Sequence, residues 1–390
     1  MTDRAALYAA VLAAPDDDTP RLVYADYLDD TGGRADAIRA RFIRNQIALA
    51  RTEPGIAECD RLYRATKPVA DHYKMIWATG TDGIALAQGH VFARGFLEQV
   101  TCYAKRFLAD GVPLFEAQPV RAVKFADMSS GRGAATAAEM AASPLLGRLH
   151  TLHLVGDPVN DGFMEGLLST PHLDGIRCFR IERSSLGPSG VTRLLSRPRW
   201  HLTELDLTRN ANIGDPEVVA LAKETGLARL RCLDLSETAV GIKGVEALAR
   251  SRHASGLEIL RLGHGADATG TAVRGPGAVA LAESPHLRGV KELDLHGQEL
   301  RKRGAESFAA AYAWPGLRRL GLRGNQIPSS SIPTFAANPH LASLAEIDFR
   351  TNPIRSKDLT PLREACPDTR FLTDDTDRSN TWALAPEDRP

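Results

Sequence analysis

Apolar residues along the chain follow two alternating spacings. Between residues 120 and 349 the pattern apolar-x-x-apolar-x-apolar occurs nine times: VRAVKF (120–125), LHTLHL (149–154), IRCFRI (176–181), LTELDL (202–207), LRCLDL (230–235), LEILRL (257–262), VKELDL (290–295), LRRLGL (317–322) and LAEIDF (344–349). Taken on the middle apolar residue (Val123, Leu152, Phe179, Leu205, Leu233, Leu260, Leu293, Leu320, Ile347), successive copies lie 29, 27, 26, 28, 27, 33, 27 and 27 residues apart. Alternation within each copy predicts a short strand, and so constant a period predicts a stacked array rather than a single globular core.

The second half of each unit changes to helical spacing: Val191, Leu194 and Leu195; Val218, Leu221 and Ala222; Val245, Leu248 and Ala249; Val279 and Ala282. Gly190, Pro216, Gly244 and Gly277 open these helices. Proline closes them in Ser143-Pro144, Thr170-Pro171, Arg197-Pro198, Ser284-Pro285, Trp314-Pro315 and Asn338-Pro339, because it cannot continue a helix and holds its predecessor extended. Three residues past each strand motif stand Asp157, Ser184, Asn210, Thr238, Gln298, Asn325 and Asn352, side chains suited to local backbone hydrogen bonds, while Met128 and Gly265 break the series.

Over residues 119–372 this strand-turn-helix-turn unit resembles leucine-rich repeats of the ribonuclease-inhibitor-like class. The resemblance implies an α/β solenoid with a curved parallel sheet inside and helices outside. Strands stack ~4.8 Å apart and helices ~10 Å apart, so the sheet takes the concave side, and nine strands give a face about 40 Å long.

Residues 3–49 predict three short helices, with Thr19-Pro20 as an N-cap and first-turn proline and Gly32-Gly33 as a C-cap. AAVLAAPDDDTPRLVYADYLDDTGG, followed by RARFIRNQIAL, resembles the repeat-companion domain that precedes leucine-rich repeats in planctomycete and myxobacterial proteins; Arg21, Leu22, Val23, Ala25, Asp26, Leu28, Phe42, Ile43, Arg44 and Gln46 carry the likeness. Tyr27 stands where that family has Trp, and Arg41 where it has an acidic residue. The domain implies no activity. Residues 50–118 predict a helical connector, then a capping strand in GHVFARGFLEQV through Val91, Phe92, Phe96, Leu97 and Val100. At the other end Leu359, Leu362, Phe371 and Leu372 are expected to close the array, with a mobile tail over 373–390.

Composition changes this picture little. Lys plus Arg equals Asp plus Glu, 48 each in 390 residues, which provides no field for a polyanion or an anionic membrane. Cys59, Cys102, Cys178, Cys232 and Cys366 are scattered and without a C-x-x-C pair, as expected for reduced thiols. The N-terminus lacks the basic start and exit of a signal peptide, and no apolar run reaches the ~20 residues of a membrane span, so a cytoplasmic protein is expected.

Candidate chemistry is sparse. Asp26, Asp29 and Asp30 share a helical face and, with Asp16 to Asp18, could attract a divalent cation; the plainer reading is a solvated face with Asp26 tied to Arg21 or Arg44. Cys366-Pro367-Asp368 is similar to the Cys-x-Asp nucleophile of bacterial leucine-rich-repeat ubiquitin ligases, but only ~20 residues follow it, too few for a catalytic domain. His264, His296 and Asp267 could approach one another around the long interval, where HGADATGTAVRGPG reads as a projecting loop and lacks the Gly-Lys-Ser/Thr ending of a phosphate cradle.

The concave columns carry more. The middle one runs Lys124, His153, Arg180, Asp206, Asp234, Arg261, Asp294, Gly321, Asp348; the column before it includes Glu204, Glu292, Arg319 and Glu346, and the one after it His296, Arg323 and Arg350. Aspartate is also common there as a solubilising choice. The expected function is a non-catalytic interaction module that binds a protein partner through Glu204, Asp206, Asp234, Arg261, Glu292, Asp294, His296, Arg319, Arg323 and Arg350; a monomer is expected, without cofactor, metal, nucleic acid or membrane. The alternatives are an enzyme regulator (an inhibitor or a GTPase-activating-like protein) and a ubiquitin-ligase-like enzyme.

Overall fold

The computed structural model describes residues 2–52, 57–126, 133–197, 200–265 and 272–375. They fall into two compact units, one formed by residues up to 126 with 142–153, the other by 133–141 and the residues from 154 onward.

In the first unit four helices, α1 (Asp3–Ala13), α2 (Asp18–Thr31), α3 (Arg34–Arg51) and α4 (Ala57–Trp77), lead into strands β1 (Ala85–Ala93) and β2 (Phe96–Cys102), helices α5 (Ala104–Asp110) and α6 (Val112–Ala117), and strand β3 (Ala122–Phe125). The N-cap of α2 is Asp17, not Thr19: its carboxylate accepts the Thr19 N–H at 2.8 Å, and Pro20 then falls within the first turn, where a missing N–H costs nothing. Gly32 ends α2 in extended rather than left-handed geometry, and a Cβ there would lie 2.2 Å from that of Asp36.

The capping strand expected over 89–100 is a hairpin. Arg94 and Gly95 both take left-handed conformations (φ 48° and 86°), the two-residue turn that matches strand twist, and Ala93 pairs with Phe96. Phe96 packs in one core with Val11, Tyr24, Ala25, Leu28, Ala40, Ile43 and Ile47. Two polar side chains hold helices to hairpin. Gln46 donates to the Phe92 carbonyl (2.9 Å) and accepts from Gly95 N–H (2.8 Å). Arg21, fully buried, pairs with Glu98 at 2.7 Å, donates to the Pro15 carbonyl at 2.6 Å and lies over the Phe96 ring. β2 then runs parallel to β3, Val100 opposite Val123.

After α7 (Gly133–Ala142) and β4 (Thr151–Val155), strands and helices alternate: α8 (Asp161–Leu167), β5 (Cys178–Glu182), α9 (Pro188–Ser196), β6 (Glu204–Asp206), α10 (Asp215–Leu221), β7 (Cys232–Asp234), α11 (Ile242–Arg250), β8 (Ile259–Arg261). The series continues with α12 (Arg274–Ala282), β9 (Glu292–Asp294), α13 (Arg301–Ala311), β10 (Arg319–Gly321), α14 (Ile332–Ala336), β11 (Glu346–Asp348), α15 (Thr360–Ala365) and β12 (Arg370–Leu372). Every one of the nine sequence copies forms a strand. Strands β5 to β12 are bonded in chain order, all parallel, and the middle apolar residues stand opposite one another from Phe179 through Leu205, Leu233, Leu260, Leu293, Leu320 and Ile347 to Phe371. This unit is the α/β repeat solenoid that the period implies.

Helix faces bury Val191, Leu194 and Leu195 in α9, and Val245, Leu248 and Ala249 in α11. In α12 the inward residues are Ala278, Leu281 and Ala282; Val279, expected inside, is half-buried because the i, i+3, i+4 phase begins one residue earlier. The closing residues Leu359, Leu362, Phe371 and Leu372 are buried. Order extends past the expected start of a mobile tail: Thr373 is fully buried, Asp374 accepts the Thr351 N–H at 2.9 Å and Asp375 the Ser356 N–H at 3.1 Å, while 376–390 lie outside the described residues.

Amide side chains stitch neighbouring repeats together. Asn210 donates to the carbonyls of Ile181 and Leu207 (both 2.7 Å) and accepts the Ser184 N–H; Asn325 donates to Leu295 and Leu322; Asn352 donates to Leu322 and Phe349 and accepts from Asn325 and Ile327 N–H. Buried backbone groups that a strand cannot pair at its end are thereby satisfied. Asp157 is exposed instead, and Met128 lies outside the described residues. A second stitch had no motif to mark it: Asp161 accepts the Gly187 N–H, and Asp215 accepts those of Gly241 and Gly244.

Candidate functional site

The strands of the second unit present their polar residues in straight columns. Register places Arg180 opposite Asp206, Asp206 opposite Asp234, Asp234 opposite Arg261, and Arg261 opposite Asp294. Neighbours in a parallel sheet stand about 4.8 Å apart, within reach of long charged side chains.

The charges close on one another. Arg261 reaches Asp234 (3.3 Å) and Glu292 (2.8 Å); Arg319 reaches Glu292 (3.0 Å) and Glu346 (3.2 Å); Arg370 reaches Glu346 from the far side (3.1 Å). Asp234, Arg261, Glu292, Arg319, Glu346 and Arg370 thus form an alternating strip from β7 to β12 in which three cations balance three anions. Arg350 pairs with Asp348 at 2.6 Å, His296 with Asp294 at 2.9 Å, and Arg180 with Asp206 at 4.0 Å.

Six of the ten residues expected to meet a partner, Asp234, Arg261, Glu292, Asp294, Arg319 and Arg350, are buried, Arg319 with 5% and Asp234 with 6% of the side chain exposed. Period two fixes which face a residue takes, but not how deep long side chains sink into one another. Glu204 and Arg323 are exposed; Asp206 and His296 are half-buried. The accessible part of the face is therefore its margins, set around a neutralised strip. Glu346 and Arg370 complete the strip and were not singled out among the expected site residues. The signal for Arg370 was its place one residue before Phe371, in the column of Arg319 and Glu346.

Desolvation dominates the protonation behaviour. Burial raises Asp206 to about 6, the neighbouring Asp234 adds to the rise, and bonds from Thr208 with the charge of Arg180 oppose it. Burial also raises Glu346, against the pull of Arg319 and Arg370. The Cys178 thiol is pushed up to about 12 by burial.

The other candidates resolve as follows. Arg44 bridges Asp26 (2.7 Å) and Asp29; Asp18 pairs with Arg51 (2.6 Å), and Asp16 with Arg121 (2.7 Å). Among the described residues no three His, Cys, Asp or Glu side chains converge as metal ligands. Cys366 is buried and its pKa is raised by burial, which disfavours the thiolate. His264 is buried, with its pKa lowered by burial and by His296, while Asp267 lies outside the described residues. Among the described residues no helix is long and apolar enough to cross a membrane.

A family model described as "Leucine Rich repeat" matches residues 201–222 and 229–249. Among solved structures the chain is similar to the complex of Rad7 and Elc1 from yeast, at 14% identity over 86% of each chain with a TM-score of 0.42. It is also similar to a Bacteroides fragilis protein (11% identity, 83% of this chain and 86% of that one, TM-score 0.46) and to an internalin from Listeria monocytogenes (14%, 65% and 67%, TM-score 0.36). None of the curated proteins matches the chain.

Proposed function

We propose that this α/β leucine-rich-repeat solenoid is a non-catalytic interaction scaffold that holds a protein partner on the polar face of its parallel sheet. The observation that carries the reading is the strip of interlocked charges from Asp234 to Arg370, which fixes the face in one arrangement before any partner arrives. A surface ordered in advance loses little side-chain entropy on binding. Partner contacts fall to the accessible margin residues Glu204, Asp206, His296 and Arg323, of both signs, which suits a protein of mixed charge better than a polyanion. The zero net charge points the same way.

On this reading residues 1–49 are a repeat-companion domain, the protein works as a cytoplasmic monomer, and blockade of an enzyme by the same face would be a consequence of binding rather than another mechanism. A photo-crosslinking amino acid placed at Glu204 or Arg323 should trap the partner in cells of the native host, while the same group at Glu246 on α11 should not. Equal trapping from α11 would refute the assignment of the face.

A further inference from the structure

The turn after β8 departs from its neighbours. After β5, β6, β7, β9, β10 and β11 the residue just before the stitching position is left-handed: Arg183 (φ 52°), Arg209 (60°), Glu237 (55°), Gly297 (67°), Gly324 (67°) and Thr351 (55°). His264 occupies that position after β8 without a positive φ, and Gly265 stands where Asn210, Gln298 and Asn325 stitch the other repeats. A cavity of about 420 Å³ opens there, lined by His264, His296, Glu299, Arg323, Gln326 and Thr351 with small residues between them.

Two of its lining residues, His296 and Arg323, are held in fixed directions. Gly263 lets the His296 ring lie against β8, since a Cβ at 263 would come within 1.8 Å of the ring. With Nδ1 of His296 held by Asp294 at 2.9 Å, the other ring nitrogen, Nε2, remains for a ligand. Arg323 is exposed and its Nε donates to the Thr351 hydroxyl at 3.3 Å, which sets the plane of a guanidinium whose two terminal nitrogens have no acceptor among the described residues. Among the described residues the wall holds one carboxylate, Glu299, which lies 3.6 Å from Arg274 and 3.7 Å from Arg301 and is partnered by them.

We propose that this cavity binds a carboxylate, gripped by the guanidinium of Arg323 and by Nε2–H of His296. A planar fork matches a carboxylate in two parallel bonds, and the imidazole supplies a third donor once protonated. Burial lowers the His296 pKa, but the charge and hydrogen bond of Asp294 outweigh it and the net shift is upward. The groups that face His296 are Asp294 on its own strand, Asp234, Arg323 and His264. Affinity should therefore fall as pH rises through the His296 pKa. The carboxylate could belong to a small free acid or to a Glu or Asp side chain. The site does not depend on the partner reading above.

The test is titration of the whole chain with succinate, with the capped peptide acetyl-Gly-Glu-Gly-amide and with inorganic phosphate, followed through the imidazole NMR signals of His296 and His264. Either carboxylate should move the His296 signals saturably. Succinate binding at least tenfold tighter than the peptide identifies a free acid; the reverse, or equal binding, identifies an acidic side chain. Arg323→Gln should weaken binding at least tenfold, His296→Gln should flatten its pH dependence, and Arg209→Gln, outside the cavity, should leave both unchanged. No saturable shift with either carboxylate, tenfold tighter binding of phosphate, or equal weakening by Arg209→Gln would overturn the proposal.

Discussion

Replacing Arg319 with methionine removes the central cation of the buried strip. In the native chain its two terminal nitrogens lie 3.0 Å from Glu292 and 3.2 Å from Glu346, whose side chains are 5% and 1% exposed. After the change Glu292 keeps Arg261 at 2.8 Å and Glu346 keeps Arg370 at 3.1 Å, but six residues that summed to zero now carry one net negative charge away from water. Removal of one member of a buried ion pair costs roughly 3–5 kcal/mol, and the surviving arginines place this case at the lower end, about 3 kcal/mol at pH 7.5. Because burial already raises the Glu346 pKa, stability from this group is full below the ordinary carboxylate range and is lost as pH rises through the folded value. Loss of Arg319 raises that value further, so the penalty should shrink between pH 7.5 and pH 4.5 as the carboxyl takes up a proton. Urea unfolding of native and variant chains at both pH values reads the difference. Arg209→Met, which breaks exposed pairs with Glu182 and Glu237, should stay within about 0.5 kcal/mol. A penalty below about 1 kcal/mol at pH 7.5, or one that grows toward acid pH, would refute the picture of a buried, mutually neutralised strip.

Other perturbations address separate parts of the structure. Asp206, raised to about 6, makes folding less favourable as pH climbs from 4 to 7; Asp206→Asn should raise stability by about 2 kcal/mol at pH 8 and have no such effect at pH 4, as urea midpoints would show. Asn325→Ala removes donors to the Leu295 and Leu322 carbonyls inside the array and should cost about 2–4 kcal/mol, against less than about 0.5 for exposed Asp157→Ala, measured by thermal and urea unfolding. Gly95→Ala combines φ +86° with a Cβ only 2.5 Å from Ile43 and should lower stability by about 2–4 kcal/mol, read by circular dichroism melts.

The strand columns could be read from sequence because a repeat makes the same physical choice nine times, so a single degenerate copy such as IRCFRI is carried by its neighbours. The N-cap of α2 was misplaced because two caps compete within three residues and a carboxylate at Asp17 lets the helix gain two residues. The hairpin at Arg94-Gly95 was obscured by an Arg in a position where turns usually show Asn or Asp. Alternation shows that Asp234 and Glu292 leave the apolar side of the sheet; it does not show that Arg261 lies between them, since that pairing depends on side-chain length across strands. Burial of six of the ten expected contact residues was hidden for that reason. Exposed Glu204 and Arg323 were legible as charges in the right columns, but their accessibility was legible only in three dimensions.

We propose that the polar sheet face, at its accessible margin, selects a protein partner. Quantitative affinity capture from the native host tests it directly, comparing the native chain with the double variant Glu204→Lys/Arg323→Glu and with a helix-side control, Glu246→Lys. One or more proteins captured by the native chain and by the control should fall at least tenfold with the double variant, whose fold stays intact by circular dichroism. Identical capture by all three chains would contradict it.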